Sequence, residues 1–364
     1  VTALENLCLE IVDCEHKTAP IDETGSHFAV GTPAMRGNVI NFGEARRISE
    51  GTFKAWTRRL TPRSGDLLFA REAPVGPVVR IPDTENVAPG QRTVLMRPDP
   101  RKVDSRFLYY LLSSRPVQGR LQDLAAGSTV AHLNVADVRS FALDVPDLPT
   151  QTAIADVLGA LDDKIAANER VVQLSEGLVR TKFLALLSAS NGTALVSDYL
   201  RLHYGKGLPA DQRRPGDYPV VGSGGPNGTH QVRLCEAPGV VVGRKGSVGT
   251  VWWMDSGFWP IDTAFYAEPA SGVGMRFVFE LLRWLNLGEL NSDSAVPGLN
   301  RDAALAQPVP LVAMEDVAEF DRSVASALLF QARVRRESDL LRTTRDALLP
   351  ELMSGRLGVL QSSR

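Results

Sequence analysis

The sequence predicts an α+β chain built twice over. Two globular α/β parts are each followed by a long helix, and the two helices pair as an antiparallel intramolecular coiled coil, with a pseudo-two-fold internal repeat relating the halves. Three observations carry this prediction. Four sequence blocks recur in the same order, a heptad stripe follows the last block of each copy, and 364 residues exceed one ordinary core at about 150 residues per domain.

The blocks justify the elements in turn. The run 67–79, LLFAREAPVGPVV, matches 240–252, VVVGRKGSVGTVW, aligning Arg71 with Arg244 and Val75-Gly76 with Val248-Gly249. Both read as a β run, a glycine turn and a second β run. Next, RFLYYLLSS at 106–114 matches RFVFELLRW at 276–284, which reads as a helix. The segments 127–138 and 293–304 align through Ser128 with Ser294 and Leu133-Asn134 with Leu299-Asn300. Finally ALDVPDLP at 142–149 matches AQPVPLVA at 306–313 through Val-Pro. Order, spacing and chemistry are preserved together, which points to duplication.

After each Val-Pro the hydrophobic period changes from strand-like to helical. The first stripe is Ile154, Leu158, Leu161, Ile165, Asn168, Val172, Ser175 and Val179. The second is Val317, Phe320, Val324, Ala327, Gln331, Val334, Ser338, Leu341, Arg345 and Leu348. Asn168, Ser175, Gln331 and Ser338 interrupt the seams, a pattern that fixes register at some cost in stability. Pairing between two chains is the competing arrangement; equivalent positions in a duplicated chain favour pairing within one. The expected layout is a globular part over 1–149, a helix over 150–190, a second globular part over 191–313 and a helix over 314–357, stopping near Gly355.

Composition narrows the function. With 44% hydrophobic and 23% charged residues, the chain has the profile of a globular protein. It has no apolar run of membrane-spanning length, no signal-peptide pattern, and three cysteines (Cys8, Cys14, Cys235) that form neither a CxxC pair nor an even set. A reducing cytoplasm is expected. Net charge is −2 but unevenly placed: Arg36, Arg46, Arg47, Lys54, Arg58, Arg59 and Arg63 face only Glu44 and Glu50, whereas 144–170 is acidic. Basic globular parts joined by an acidic segment can bind phosphate locally.

Catalytic motifs are poor. GRKGSVG (243–249) and VGSGGPNG (221–228) are neither a P-loop nor a dinucleotide fingerprint, and hairpin turns explain them equally well. The five histidines show no metal spacing. DCEHKT (13–18) brings Cys14 and His16 together, but no third group to orient them can be named. Neither an adenine-methyltransferase signature nor an ATPase motif is recognisable. The cluster Trp252, Trp253, Phe258 and Trp259 reads as core packing.

Four stretches, in family order, are similar to the DNA specificity (S) subunits of type I restriction–modification systems. EIVDCEHKTAP (10–20) resembles the opening of a first target-recognition domain, and LPTQTAIADVLGALDDKIAANERVVQL (148–174) the central conserved region, with Thr150 where Glu is usual. DYPVVGSGGPNG followed by VVVGRKGSVGTV looks like a second recognition domain, and LLRTTRDALLPELMSGRL (340–357) like the C-terminal conserved region. The resemblance implies a non-catalytic adapter with no bound cofactor or metal. Each recognition domain would read one half of a split double-stranded DNA target, and the paired helices would set the gap. Two methyltransferase (M) subunits would supply S-adenosylmethionine chemistry and DNA methylation, and two restriction (R) subunits would use ATP and Mg.

Side-chain chemistry nominates the DNA contacts, since Arg and Lys suit guanine or phosphate and Asn suits adenine. In the first domain these are His16, Lys17, Arg36, Arg46, Arg47, Lys54, Arg71 and His132. In the second they are Tyr204, Lys206, Arg213, Arg214, Ser223, Asn227, Arg244 and Lys245. Ile154, Leu158, Asp162, Asp163, Phe320 and Leu341 are expected to hold partner subunits. The alternatives are a stand-alone sequence-specific DNA-binding regulator and, less favoured, a nucleotide- or metal-dependent enzyme.

Overall fold

A computed structural model describes residues 1–83, 86–126, 131–290 and 298–359. Ser128 and Ser294 of the third repeated block lie outside the described residues. The chain divides into two compact units, Val1–Ala166 with Asp339–Arg364, and Ala167–Ser338. The division falls within the long helices, so each unit holds one globular part and a piece of both helices.

The first unit runs β1 (Thr2–Ala3), α1 (Leu4–Leu7), β2 (Cys8–Asp13), β3 (His27–Val30), β4 (Arg46–Ile48), α2 (Glu50–Trp56), β5 (Leu67–Arg71), β6 (Val75–Arg80), β7 (Val87–Pro89) and β8 (Thr93–Pro98). Then come α3 (Ser105–Ser113), α4 (Arg115–Ala125), α5 (Val135–Ser140), β9 (Ala142–Leu143) and the start of α6 (Leu148–Ala189). A four-stranded sheet has the order β2-β8-β5-β6, a three-stranded sheet β4-β3-β7, and β1 pairs with β9. The strand β5 is buried along its length, which explains its unbroken apolar run. Side chains alternate across a strand: Leu67 and Phe69 join a core with Phe107 and Leu158, while Leu68 and Ala70 face Val30 and Met35.

The second unit repeats this plan. It runs β10 (Thr193–Leu195), α7 (Val196–Tyr199), β11 (Leu200–Tyr204), β12 (Tyr218–Gly222), β13 (Gly225–His230), β14 (Gly239–Gly243), β15 (Val251–Met254), β16 (Trp259–Pro260) and β17 (Ala264–Pro269). It continues with α8 (Met275–Trp284), α9 (Arg301–Leu305), β18 (Pro308–Pro310) and the first part, to Ser338, of α10 (Met314–Met353). The sheets are β11-β17-β14-β15, β13-β12-β16 and β10-β18. Substituting β11 for β2, β12 for β3 and so on reproduces every pairing of the first unit, including the parallel β3–β7 and β12–β16 contacts. The buried run of β14 splits in the same way, with Val240 and Val242 in one core and Val241 in another.

The repeated Leu-Asn has a structural reason in both copies. Leu133 and Leu299 are buried, and the following asparagines cap α5 and α9. The Asn134 side chain and Asp137 form a capping box, and Asn300 accepts from the backbone N–H of Asp302 and Ala303.

The long helices follow the predicted stripes closely. Ile154, Leu158, Ile165, Asn168, Val172 and Val179 are buried on α6, as are Val317, Phe320, Val324, Gln331, Val334 and Ser338 on α10. In the second unit Gln331 donates to the Ser175 hydroxyl (2.9 Å), Asn168 to Glu337 (2.9 Å), and Arg335 pairs with Glu176. In the first, Arg345 donates to Asp162 (2.7 Å). Partner numbers fall along α10 as they rise along α6, which makes the helices antiparallel. Asn168, Ser175 and Gln331 thus make interhelical hydrogen bonds that a shifted register would break, whereas Ser338 donates to the Val334 carbonyl of its own helix (3.2 Å). Beyond α10, Gly355 adopts φ +70° and ends the helix.

Each globular part is held to its helices by polar contacts at matching places. In the first unit Arg106 of α3 makes a two-pronged bond to Asp163 (2.9 and 3.0 Å), and the Tyr110 hydroxyl donates to Asp162 (2.5 Å). Gly159 permits this, because a Cβ there would lie 2.2 Å from the Arg106 guanidinium. In the second unit the equivalent pair is Arg276 and Glu280 of α8. Glu280 is 0% exposed, ion-paired to Arg276 (2.8 Å), and met by Arg180 of α6 on both its carboxylate (3.3 Å) and its backbone carbonyl (3.0 Å). Asp321 of α10 accepts the N–H of Phe277 (3.3 Å) and fills the space beside Gly274, so it caps α8 from outside the helix.

Candidate nucleic-acid interface

Equivalent backbone in the two units converges at one end of the four-stranded sheet. In the first unit the Arg71 N–H donates to the Arg92 carbonyl (3.0 Å), and Leu133 N–H to the Arg71 carbonyl (2.9 Å). In the second, Arg244 N–H donates to Thr263 (2.9 Å) and Leu299 N–H to Arg244 (2.9 Å). Glu72 bridges His132, and Lys245 bridges Gly298. Asp13 ends β2 opposite Val94, and Tyr204 ends β11 opposite Phe265. One framework therefore carries Asp13, Arg71, Glu72, Arg92 and His132 in one copy, and Tyr204, Arg244, Lys245, Thr263 and Gly298 in the other. The backbone is retained while nearly every side chain differs.

In the first copy Arg71 is a brace. It is buried, donates to the Leu133 carbonyl (3.3 Å) and to His16 Nδ1 (3.3 Å), and places Nε 3.3 Å from Asp13 as an ion pair without hydrogen-bond alignment. A guanidinium only donates, so His16 Nδ1 accepts and the ring proton lies on Nε2, 2.9 Å from Asp13. Both ring nitrogens are thus engaged, although the side chain is 64% exposed. Cys14 is buried, and burial pushes its thiol above the usual range. A Cys14–His16 nucleophile pair fits neither fact, because the thiolate is the reactive form. DCEHKT instead organises arginines: Glu15 holds Arg58 (2.9 Å), and Arg59 donates to the Asp13 carbonyl (3.2 Å).

Around this brace Lys17, Arg36 and Arg46 are exposed. Arg47 lies over Phe28 (5.6 Å) and donates to the Glu23 carbonyl (3.3 Å). Lys54 is paired with Glu50 (2.6 Å). A cleft of about 170 Å³ is lined by Thr18, Arg46, Gln91 and Arg92 among others. Arg92, at φ +70° and paired with Glu72 (3.3 Å), was not among the residues nominated from sequence, and nor was Gln91. The backbone strain at Arg92 could not be read from its residue type.

In the second copy the site is more open. Arg244 lies over the rings of Tyr204 (4.9 Å) and Phe265 (5.8 Å) and donates to the Asp262 carbonyl (3.1 Å). Lys206 sits over Trp259 (6.0 Å), whose indole N–H donates to the Lys206 carbonyl (2.9 Å). Lys245, Asn227 and Arg214 are exposed, and the backbone N–H of Arg214 donates to His230. Arg213 is committed to the carbonyls of Leu208 (3.2 Å) and Asn227 (2.8 Å). The Ser223 carbonyl accepts from Thr250 (2.6 Å) and Trp252 (3.1 Å), so the glycine-rich run is a braced hairpin.

The residues expected to hold partners divide. Ile154, Leu158 and Phe320 are buried in the chain's own cores, where the heptad stripe that nominated them belongs. Asp162 and Asp163 are bonded to Tyr110, Arg345 and Arg106, and Leu341 is half-buried. The apolar side chains exposed on the long helices are instead Val171, Leu174, Leu178, Leu184, Met314, Leu329 and Phe330 in the second unit, and Val157 and Leu340 in the first. Among the described residues no group of three or more His, Cys, Asp or Glu could hold a metal, and no helix is long and apolar enough to cross a membrane.

Fold and site together define a class: a duplicated α/β chain on antiparallel helices, with a basic strand-end site in each copy. Comparison with known proteins makes this specific. Residues 32–174 match the family described as "Type I restriction modification DNA specificity domain". The chain is 28% identical over 189 residues, 51% of its length, to the type I restriction enzyme MjaIX specificity subunit of Methanocaldococcus jannaschii, of which this covers 42%. It is 27% identical over 125 residues, 33% of its length, to the HindI specificity subunit of Haemophilus influenzae, covering 27% of that protein. The chain thus aligns with less than half the length of these curated relatives. In fold it resembles the crystal structure of a type I restriction–modification S subunit from M. genitalium, with TM-score 0.62, 19% identity and coverage of 96% of this chain and 95% of the other. Over residues 32–174 the chain is therefore similar to the type I specificity-subunit family, and in fold it resembles an S subunit along nearly its whole length.

Proposed function

We propose that this chain is the DNA sequence-specificity subunit of a type I restriction–modification complex, a non-catalytic adapter that reads a bipartite target. The observation that carries this reading is the duplicated strand-end site, whose backbone is the same in both copies and whose side chains differ. A common frame with different donors and acceptors is what two unlike half-sites require, because base pairs are distinguished by hydrogen-bond pattern in the major groove. The paired helices would fix the spacing between half-sites. Exposed apolar side chains such as Leu174, Leu178 and Leu329 suit docking of two methyltransferase subunits, and two restriction subunits would complete the complex. S-adenosylmethionine, ATP and Mg would reside on those partners. The reading places the chain in the cytoplasm.

The test is DNA binding by the purified chain with and without an N6-adenine methyltransferase partner. The adapter reading predicts discrimination of at least about 1,000-fold between target and non-target duplex in the complex, and far weaker discrimination by the chain alone. Full discrimination without a partner would instead indicate a stand-alone regulator. Nucleotide hydrolysis or DNA methylation by the isolated chain would contradict the adapter reading.

A further inference from the structure

The second unit places two arginines on one tyrosine. Arg244 Cζ lies 4.9 Å from the Tyr204 ring centroid, and Arg301 Cζ lies 5.4 Å from the same centroid. The chain segments bearing them are tied together by the bond from Leu299 N–H to the Arg244 carbonyl (2.9 Å) and by the Lys245–Gly298 bridge. The two positive charges are therefore held apart by at most about one Debye length, ~10 Å. Lys245 is exposed beside them.

Local compensation is thin. Arg244 donates to a neutral carbonyl, that of Asp262. Arg301 pairs with Asp302 (3.0 Å), whose side chain is 80% exposed, so that pair is weakened by water. The first unit shows a contrasting solution on the same framework: Asp13 replaces Tyr204 and neutralises Arg71, and Val135 stands where Arg301 follows the capping asparagine. An aromatic platform orients guanidiniums without neutralising them, so the second unit keeps its charge for an external anion.

We infer that Tyr204, Arg244 and Arg301 form a two-arginine clamp for one DNA backbone phosphate in the second half-site. Arg301 is the new member; Tyr204 is its positioning residue. A phosphate fits better than a base edge, because two guanidiniums on one anion relieve their mutual repulsion, whereas a guanine O6/N7 edge accepts a single fork. This inference rests on the DNA-reading function proposed above and adds a contact that function does not itself require.

The experiment compares the full chain, in complex with its methyltransferase partner, as wild type, Arg301→Ala, Arg301→Lys, Tyr204→Leu and, as a control outside the cluster, Arg233→Ala. Affinity for a mixed-sequence duplex is measured against salt concentration. The clamp predicts that Arg301→Ala weakens binding about five- to ten-fold and reduces the slope of log affinity against log salt by about one. Arg301→Lys should restore the slope but only part of the affinity. Tyr204→Leu should weaken binding with the slope retained, and Arg233→Ala should change neither. An Arg301→Ala chain with wild-type affinity and slope would overturn the clamp while leaving the DNA-reading function intact. A loss confined to target duplex, with the slope unchanged, would make Arg301 a base reader and also overturn it. Absence of DNA binding by the wild-type complex would overturn the function itself.

Discussion

Replacing Glu280 by alanine is expected to destabilise the unit 167–338 by about 3–5 kcal/mol. Its carboxylate is fully buried, ion-paired with Arg276 at 2.8 Å and contacted by Arg180 of α6. Removing it leaves the Arg276 guanidinium, 6% exposed, without the carboxylate it is paired with. Burial already pushes the Arg276 pKa below its ordinary value, so the position tolerates little further loss. Glu280→Gln keeps an acceptor without the charge and should fall between wild type and alanine. Urea unfolding followed by tryptophan fluorescence reports on this unit directly, because Trp253 lies over Arg276 (5.4 Å). A loss below about 1 kcal/mol, the usual worth of an exposed pair, would show that the buried network does not hold α8 in place.

A second large effect is expected on the helices, in binding and not in stability. Leu174 and Leu178 are 64% and 56% exposed and lie one turn apart on α6. Changing both to glutamate should alter folding stability by no more than about 0.5 kcal/mol each. If this face receives a methyltransferase subunit, the same change places two charges in an apolar interface and should weaken association by 100-fold or more, about 3 kcal/mol. Co-purification of the two chains, with a thermal melt of each variant, separates the effects. Undiminished association would remove this face from the docking surface.

Much of the architecture was legible in the sequence, for physical reasons. Heptad periodicity reports burial along a helix directly, and every position of the two predicted stripes is buried or half-buried. The repeated Leu-Asn and Arg-Phe pairs aligned correctly because each does the same local job in both copies: helix cap and core residue, or helix-to-helix anchor. The site was harder to read. Arg71 and Arg244 align in sequence and share their backbone bonds, yet one is a buried brace and the other lies on an aromatic ring. That difference comes from Asp13 and Tyr204, which lie on a strand distant in sequence. Arg92 and Arg301 carry no motif; they matter through the turn and the bridge that place them. Ile154, Leu158 and Phe320 belonged to the stripe that fills the core, so periodicity alone could not offer them to a partner.

The most direct test of the central claim is to co-express this chain with an N6-adenine methyltransferase subunit and map every methylated adenine in the host DNA. If the two sites read unlike half-sites, as proposed, the result is a single asymmetric motif. It should have two short specified parts, a fixed unspecified gap between them, and methylation on opposite strands in the two parts. A contiguous motif, a variable gap, or no sequence preference at all would contradict it.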